Sequence, residues 1–204
     1  MFEAYKSVLK KDHSKSTFGF GIVGRIPLAM NTVALVFFIS TVRGSFALAG
    51  LASSCYTIAG ALVGPRIGRL ADLRGTRKVL LPVSIANVFA VVGVLTLGEK
   101  NTFALLLFSA LAGGTFPNFG SYTRTRWSRS LTNERHLSAA LSLESVLDET
   151  AFVIGPALAG FLFAWGGAHS PLLSGVVFLL VGAIGLAITS NDHDLKNEVE
   201  EEHG

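Results

Sequence analysis

Residues 64–78 read Gly64-Pro-Arg-Ile-Gly-Arg-Leu-Ala-Asp-Leu-Arg-Gly-Thr-Arg-Lys78, with five basic residues and one acid in fifteen positions. Uncharged sequence lies on both sides of this knot: Phe46–Pro65 before it and Val79–Leu97 after it. Each run is about as long as the 20 or so apolar residues that carry a helix across a bilayer core. A charged knot between two such runs is a loop that must stay out of the hydrocarbon. The reading therefore starts from two membrane spans joined by a short loop.

The same pattern extends along the chain. Phe103–Tyr122 and Pro171–Thr189 are also free of charge, and two further apolar segments carry charges: Phe18–Ile39, with Arg25, and a segment ending at Trp165, with acids near its start. That makes six expected spans. Backbone groups in lipid must be satisfied internally, and the runs are too long and too uniformly apolar for barrel strands, so the expected fold class is all-α integral membrane. Composition agrees: of 204 residues 50% are hydrophobic and 15% charged, against about 25% charged in soluble domains, and the mean hydropathy is +0.52.

Counting Lys and Arg by side gives the orientation. The lead (Lys6, Lys10, Lys11, Lys15), the knot (Arg66, Arg69, Arg74, Arg77, Lys78), the loop after span 4 (Arg124, Arg126, Arg129, Arg135) and the tail (Lys196) fall on one side; only Arg43 and Lys100 fall on the other. Basic residues in short loops stay cytoplasmic, so both termini are expected in the cytosol. The net charge of +3 then reflects topology, and a nucleic-acid partner is not expected.

The remaining features are plainer. Cys55, the lone cysteine, cannot form an intrachain disulfide or a metal cluster and reads as a small packing residue. No cleavable signal peptide is expected, because the first apolar run begins at Phe18 and lacks a small-x-small exit. Residues 1–17 read as a cytoplasmic lead, either a short amphipathic helix on an anionic leaflet or a polar extension. Residues 18–189 form the membrane domain, and 190–204 an acidic cytoplasmic tail. Gly19-Phe-Gly21-Ile-Val-Gly24 has the spacing of a dinucleotide fingerprint but lacks the preceding strand and the later acid, so it reads as a helix-packing face. No histidine spacing fits a metal, and no enzyme site or cofactor is expected.

Written as Gly68-x-Leu70-Ala71-Asp72-x-x-Gly75-x-Arg77-Lys78-x-x-Leu81, the knot resembles the signature between helices 2 and 3 of the major facilitator superfamily, departing at Thr76, where a basic residue is common. The resemblance extends through Gly24-Arg25-x-Pro27-x-x-x-Asn31, Gly114-x-x-Pro117-Asn118-x-Gly120, and Gly155-Pro156-x-x-Ala159-Gly160, which looks like the antiporter-type Gly-Pro motif of the fifth helix. It implies half of that fold, six helices as an inverted 3+3 repeat, with Gly/Pro interruptions paired between spans 1 and 4 and between spans 2 and 5. It also implies a latch role for Asp72 and Arg77, cavity helices 1, 2, 4 and 5 with 3 and 6 as scaffold, and Asn31, Asn118 and Tyr122 as lining residues.

Charges within spans are functional candidates, because each costs roughly 2.5–3.5 kcal/mol to insert at a helix centre. Arg25 lies about 10 Å into span 1 at 1.5 Å per residue. In span 5, Glu144 and Asp148 are four apart on one face, while Glu149 points about 100° away. Counted back from Trp165, Asp148 and Glu149 sit near the cytoplasmic edge, or deeper if the helix begins near Leu137. Two roles stay open. The acids pair with Arg25 or with Arg124 and Arg126 as a cytoplasmic gate, or Asp148 or Glu149 carries a proton.

The expected activity is secondary active transport, as proton-coupled efflux of small organic molecules by alternating access. The expected partners are the lipid bilayer, a small-molecule substrate, protons, and a second six-helix half from a second copy or another chain. The alternative is a non-transporting membrane subunit or an inactive fragment.

Overall fold

The structure, a computed structural model, describes residues 14–131 and 133–189. Most of the lead and the whole acidic tail lie outside the described residues. The elements, in order, are α1 (Ser14–Arg43), α2 (Phe46–Arg74), α3 (Thr76–Thr96), α4 (Thr102–Gly114), α5 (Phe119–Ser130), α6 (Glu134–Gly166) and α7 (Ser170–Thr189). Among the described residues six helical segments are long and apolar enough to cross a membrane. Spans 1 to 3 are α1 to α3, span 4 is α4 with α5, and spans 5 and 6 are α6 and α7.

Span 4 departs from the single rod expected over Phe103–Tyr122. It breaks after Gly114 and resumes at Phe119. The cause is local. Pro117 has no N–H to give the Gly113 carbonyl, so Phe116 N donates to Gly113 O at 3.2 Å. The Ala112 carbonyl, which Phe116 would pair with in a continuous helix, instead accepts from Asn87 Nδ2 of α3 at 2.6 Å. Asn118 restarts the helix as N-cap, its Oδ1 accepting from Ser121 N at 3.1 Å. A break inside a membrane is tolerated only where freed backbone groups find partners, and these side chains supply them.

The helices pack through glycines. A Cβ on Gly113 would lie 1.9 Å from the Tyr56 carbonyl oxygen, so the backbones of α2 and α4 touch there. A Cβ on Gly182 would lie 2.5 Å from Gly24 Cα, which puts α7 directly on α1. At Gly155 a Cβ would meet Met30 N at 3.0 Å and Ile26 O at 3.1 Å, and α6 closes on α1. Small residues allow this approach where lipid gives no hydrophobic drive between helices. α1 is accordingly the central rod. Gly75, with φ of 89°, makes the one-residue turn between α2 and α3 that a side chain would strain.

Coverage is uneven. In their most apolar stretches α2 and α6 bury 22% and 17% of residues, against 44% or more in the other four spans. The open faces carry Leu51, Ile58 and Leu62 on α2, and Phe152, Val153 and Phe161 on α6. At the end opposite the basic loops, the connections are tied together. Arg43 donates to the Glu99 carbonyl at 3.0 Å and to Thr102 Oγ1 at 2.8 Å, and His169 Nε2 meets Glu99 Oε1 at 2.9 Å.

Candidate functional site: a charge network across spans 1, 4 and 5

Arg25 sits one turn beyond Gly21 on α1, facing the cleft between α5 and α6. Its side chain is 3% exposed, and Glu144 opposite is 0% exposed. Arg25 Nη2 donates to Glu144 Oε2 and, at 2.7 Å, to Thr123 Oγ1. Thr123 Oγ1 in turn lies 2.6 Å from Glu144 Oε2. Trp127 Nε1 donates to the other carboxylate oxygen, Oε1, at 2.7 Å. The Trp127 ring stacks on Phe18 of α1 at 4.7 Å. Thr123 and Trp127 are four apart on α5, so one helix face supplies both donors.

One turn along α6, Asp148 continues the network. Arg25 Nε approaches Asp148 Oδ1 at 2.8 Å, and Arg124 Nη2 approaches Asp148 Oδ2 at 2.5 Å. Here the site opens: Asp148 is 30% exposed and Arg124 46%. The group holds two arginines and two carboxylates and is neutral as a set. Neutrality is what permits it inside an apolar bundle, since an unmatched buried charge is strongly unfavourable.

α6 has 33 residues and begins at Glu134, ahead of both starts expected from the sequence. At 1.5 Å per residue Asp148 lies about 26 Å and Glu144 about 32 Å along the helix from Trp165.

The other sequence candidates are placed as follows. Glu149 is exposed and makes no ion pair among the described residues. Arg126 Nη2 donates to the Thr189 carbonyl at 2.7 Å and its Nη1 to Thr189 Oγ1 at 3.2 Å, closing the end of α7. Asp72 accepts from Thr125 Oγ1 of α5 at 3.2 Å. Gly68 is buried beside Ser121, whereas Leu70, Arg77 and Lys78 are exposed. Pro156 lies within α6, and Gly160 faces open space. Asn31 and Tyr122, expected to line a cavity, are instead buried inside the bundle, because Asn31 is held against Gly175 of α7 and Tyr122 within the apolar cluster around Phe119 and Leu179. Asn118 does open into a groove, of about 510 Å³, which Gly64, Gly68, Arg69, Asp72 and Ser121 also line.

Thr123 and Trp127 escaped the sequence reading. Nothing in Tyr122-Thr-Arg-Thr-Arg-Trp127 marks two uncharged donors among the arginines; only the restart of the helix at Phe119 sets which face meets α6.

A family model described as Major Facilitator Superfamily matches residues 18–203. The chain belongs to the major facilitator superfamily. A relative, "Multidrug resistance protein 1" of Bacillus subtilis (strain 168), is 28% identical over 157 residues, covering 76% of this chain and 39% of that protein. The chain thus matches well under half of that relative's length. No solved structure matches. The chain is a multi-pass membrane protein of a transporter family, not an enzyme, and the six-span bundle is half of a major facilitator fold.

Proposed function

We propose that this superfamily member works as one half of a secondary active transporter. It exports small organic molecules in exchange for protons by alternating access, together with a second six-helix half. The carrying observation is the neutral network of Arg25, Arg124, Glu144 and Asp148, set within membrane-spanning helices and open on one side only. Intramembrane charges that pair with each other and reach water mark ion and substrate paths. Export is inferred from the Gly155-Pro156 motif of α6 and is in keeping with the name of the Bacillus relative. The loop of Gly68, Leu70, Asp72, Gly75, Arg77 and Lys78 is the latch that closes on the second half, with both termini in the cytosol of a cell whose plasma membrane holds the protein.

In this reading the gate and the proton site are one network. Arg124 holds the open side of Asp148; a proton on Asp148 releases it. Proteoliposomes containing the chain and its cross-linked partner half, loaded with ethidium as probe, test the proposal. An imposed proton gradient is expected to drive ethidium across the membrane, and Asp148→Asn to remove the dependence on the gradient. Ethidium movement that ignores both the gradient and the substitution overturns it.

A further inference from the structure

The network contains two carboxylates in unlike settings, and the difference lies in who donates to them. Glu144 is fully buried and takes three donors: Arg25 Nη2 and the Thr123 hydroxyl on Oε2, and the Trp127 indole N–H on Oε1. Arginine and the indole have hydrogens to give and no lone pair to offer. A proton placed on Glu144 would therefore need Thr123 as its acceptor. That requires the Thr123 hydroxyl to turn its own hydrogen to the Phe119 or Gly120 carbonyl, each 3.2 Å away, and to give up a shorter, charge-assisted bond. Asp148 has no such enclosure. Its partners are Arg25 Nε and the half-exposed Arg124, which can swing into water.

We propose that Trp127 and Thr123 are positioning residues that keep the Glu144 carboxylate committed to Arg25, which leaves Asp148 as the carboxylate of this network that exchanges a proton. Among the described residues, the charged and polar groups that contact the pair include Arg25 from α1, Thr123, Arg124 and Trp127 from α5, and the two acids themselves from α6. The step is simple. A proton from water bonds to an Asp148 oxygen, Arg124 parts from it and becomes hydrated, and the set passes from neutral to one positive charge. No bond to Glu144 changes. Phe18, stacked on the Trp127 ring, holds the indole in register. The inference names the proton site of the function proposed above, but its test needs no substrate.

The chain in lipid nanodiscs is acidified while infrared difference spectra follow the C=O stretch of protonated carboxylic acids. One band is expected within the network, absent in Asp148→Asn and still present, though shifted by the loss of the Arg25 partner, in the Arg25→Gln/Glu144→Gln double variant. In Trp127→Phe, which keeps the stack on Phe18 but not the N–H, a second band is expected. It is removed by adding Glu144→Gln and corresponds to at least a tenfold gain in proton affinity at Glu144. Trp127→His, which restores a ring N–H, is expected to suppress it. Trp127→Leu, which also lacks the N–H and leaves Thr123 in place, repeats the test should Trp127→Phe fail to fold. A band that survives Asp148→Asn, or spectra unchanged in both Trp127→Phe and Trp127→Leu, overturns the proposal. If the infrared assignments hold while proteoliposomes pass no protons, coupled transport falls and the positioning stands.

Discussion

At the scale of residues, replacing Glu144 alone by Gln leaves a buried guanidinium with Asp148 as its remaining acid. Breaking a buried pair from one side costs about 3–5 kcal/mol, whereas removing both partners costs much less. Thermal melts in a mild detergent are therefore expected to rank Glu144→Gln as the least stable variant. Asp148→Asn should lose less, because its Arg124 contact is half in water and such pairs are worth about 1 kcal/mol or less. The Arg25→Gln/Glu144→Gln double variant should fall nearer the parent than Glu144→Gln does. A double variant no better than Glu144→Gln would mean that the pair is not what holds α6 to α1. Sequence spacing put Glu144 and Asp148 on one face and Glu149 off it, and it put Arg25 inside span 1. It could not tell which acid would be enclosed, because that depends on the rotation of α6 about its axis, which the contacts of Gly155 with α1 determine.

At the scale of elements, the broken fourth span shows how a local backbone defect is absorbed. Asn87 on α3 serves the Ala112 carbonyl that the break frees. Asn87→Leu would leave that acceptor buried without a donor, at a cost of about 1–3 kcal/mol, and hydrogen exchange at residues 113–119 is expected to quicken. Replacing the Asn118 cap by Ala should cost about 1 kcal/mol; a melt unchanged by Asn118→Ala would show that α5 needs no cap of its own. Gly182→Leu would drive a side chain into the α1 backbone at Gly24, and a sharp loss of extractable folded protein is expected. The six apolar runs were plain in the sequence because charge is so costly in lipid that it draws their ends. The break was not plain. Gly113, Gly114 and Pro117 mark a weak point, but the partner that lets the span part there comes from another helix, 25 residues earlier in the chain.

At the scale of the whole molecule, the basic residues gather at one end of the bundle, and the chain returns to that end after every second span. Reporter fusions at residues 1 and 204 should report the same, cytoplasmic, side; opposite sides would mean an odd number of spans. The least covered helices, α2 and α6, are where a second six-helix half would seat, and cysteines placed at Ile58 and Val153 are expected to cross-link to it in native membranes. Labelling of both by lipid-phase reagents alone would instead leave the half without a companion. None of this companion surface could be read from the sequence, since a helix face turned to lipid and one turned to another protein are equally apolar.

The ties at the far end, Arg43 to Glu99 and Thr102, and Glu99 to His169, join the mouths of four helices with short polar stitches. The basic end has instead a parted rod and an ion cluster open to water. A rim held by short polar stitches resists spreading, so a motion that parts the Arg124–Asp148 contact at the basic rim would turn about the stitched one, as the arms of tongs turn about their pivot.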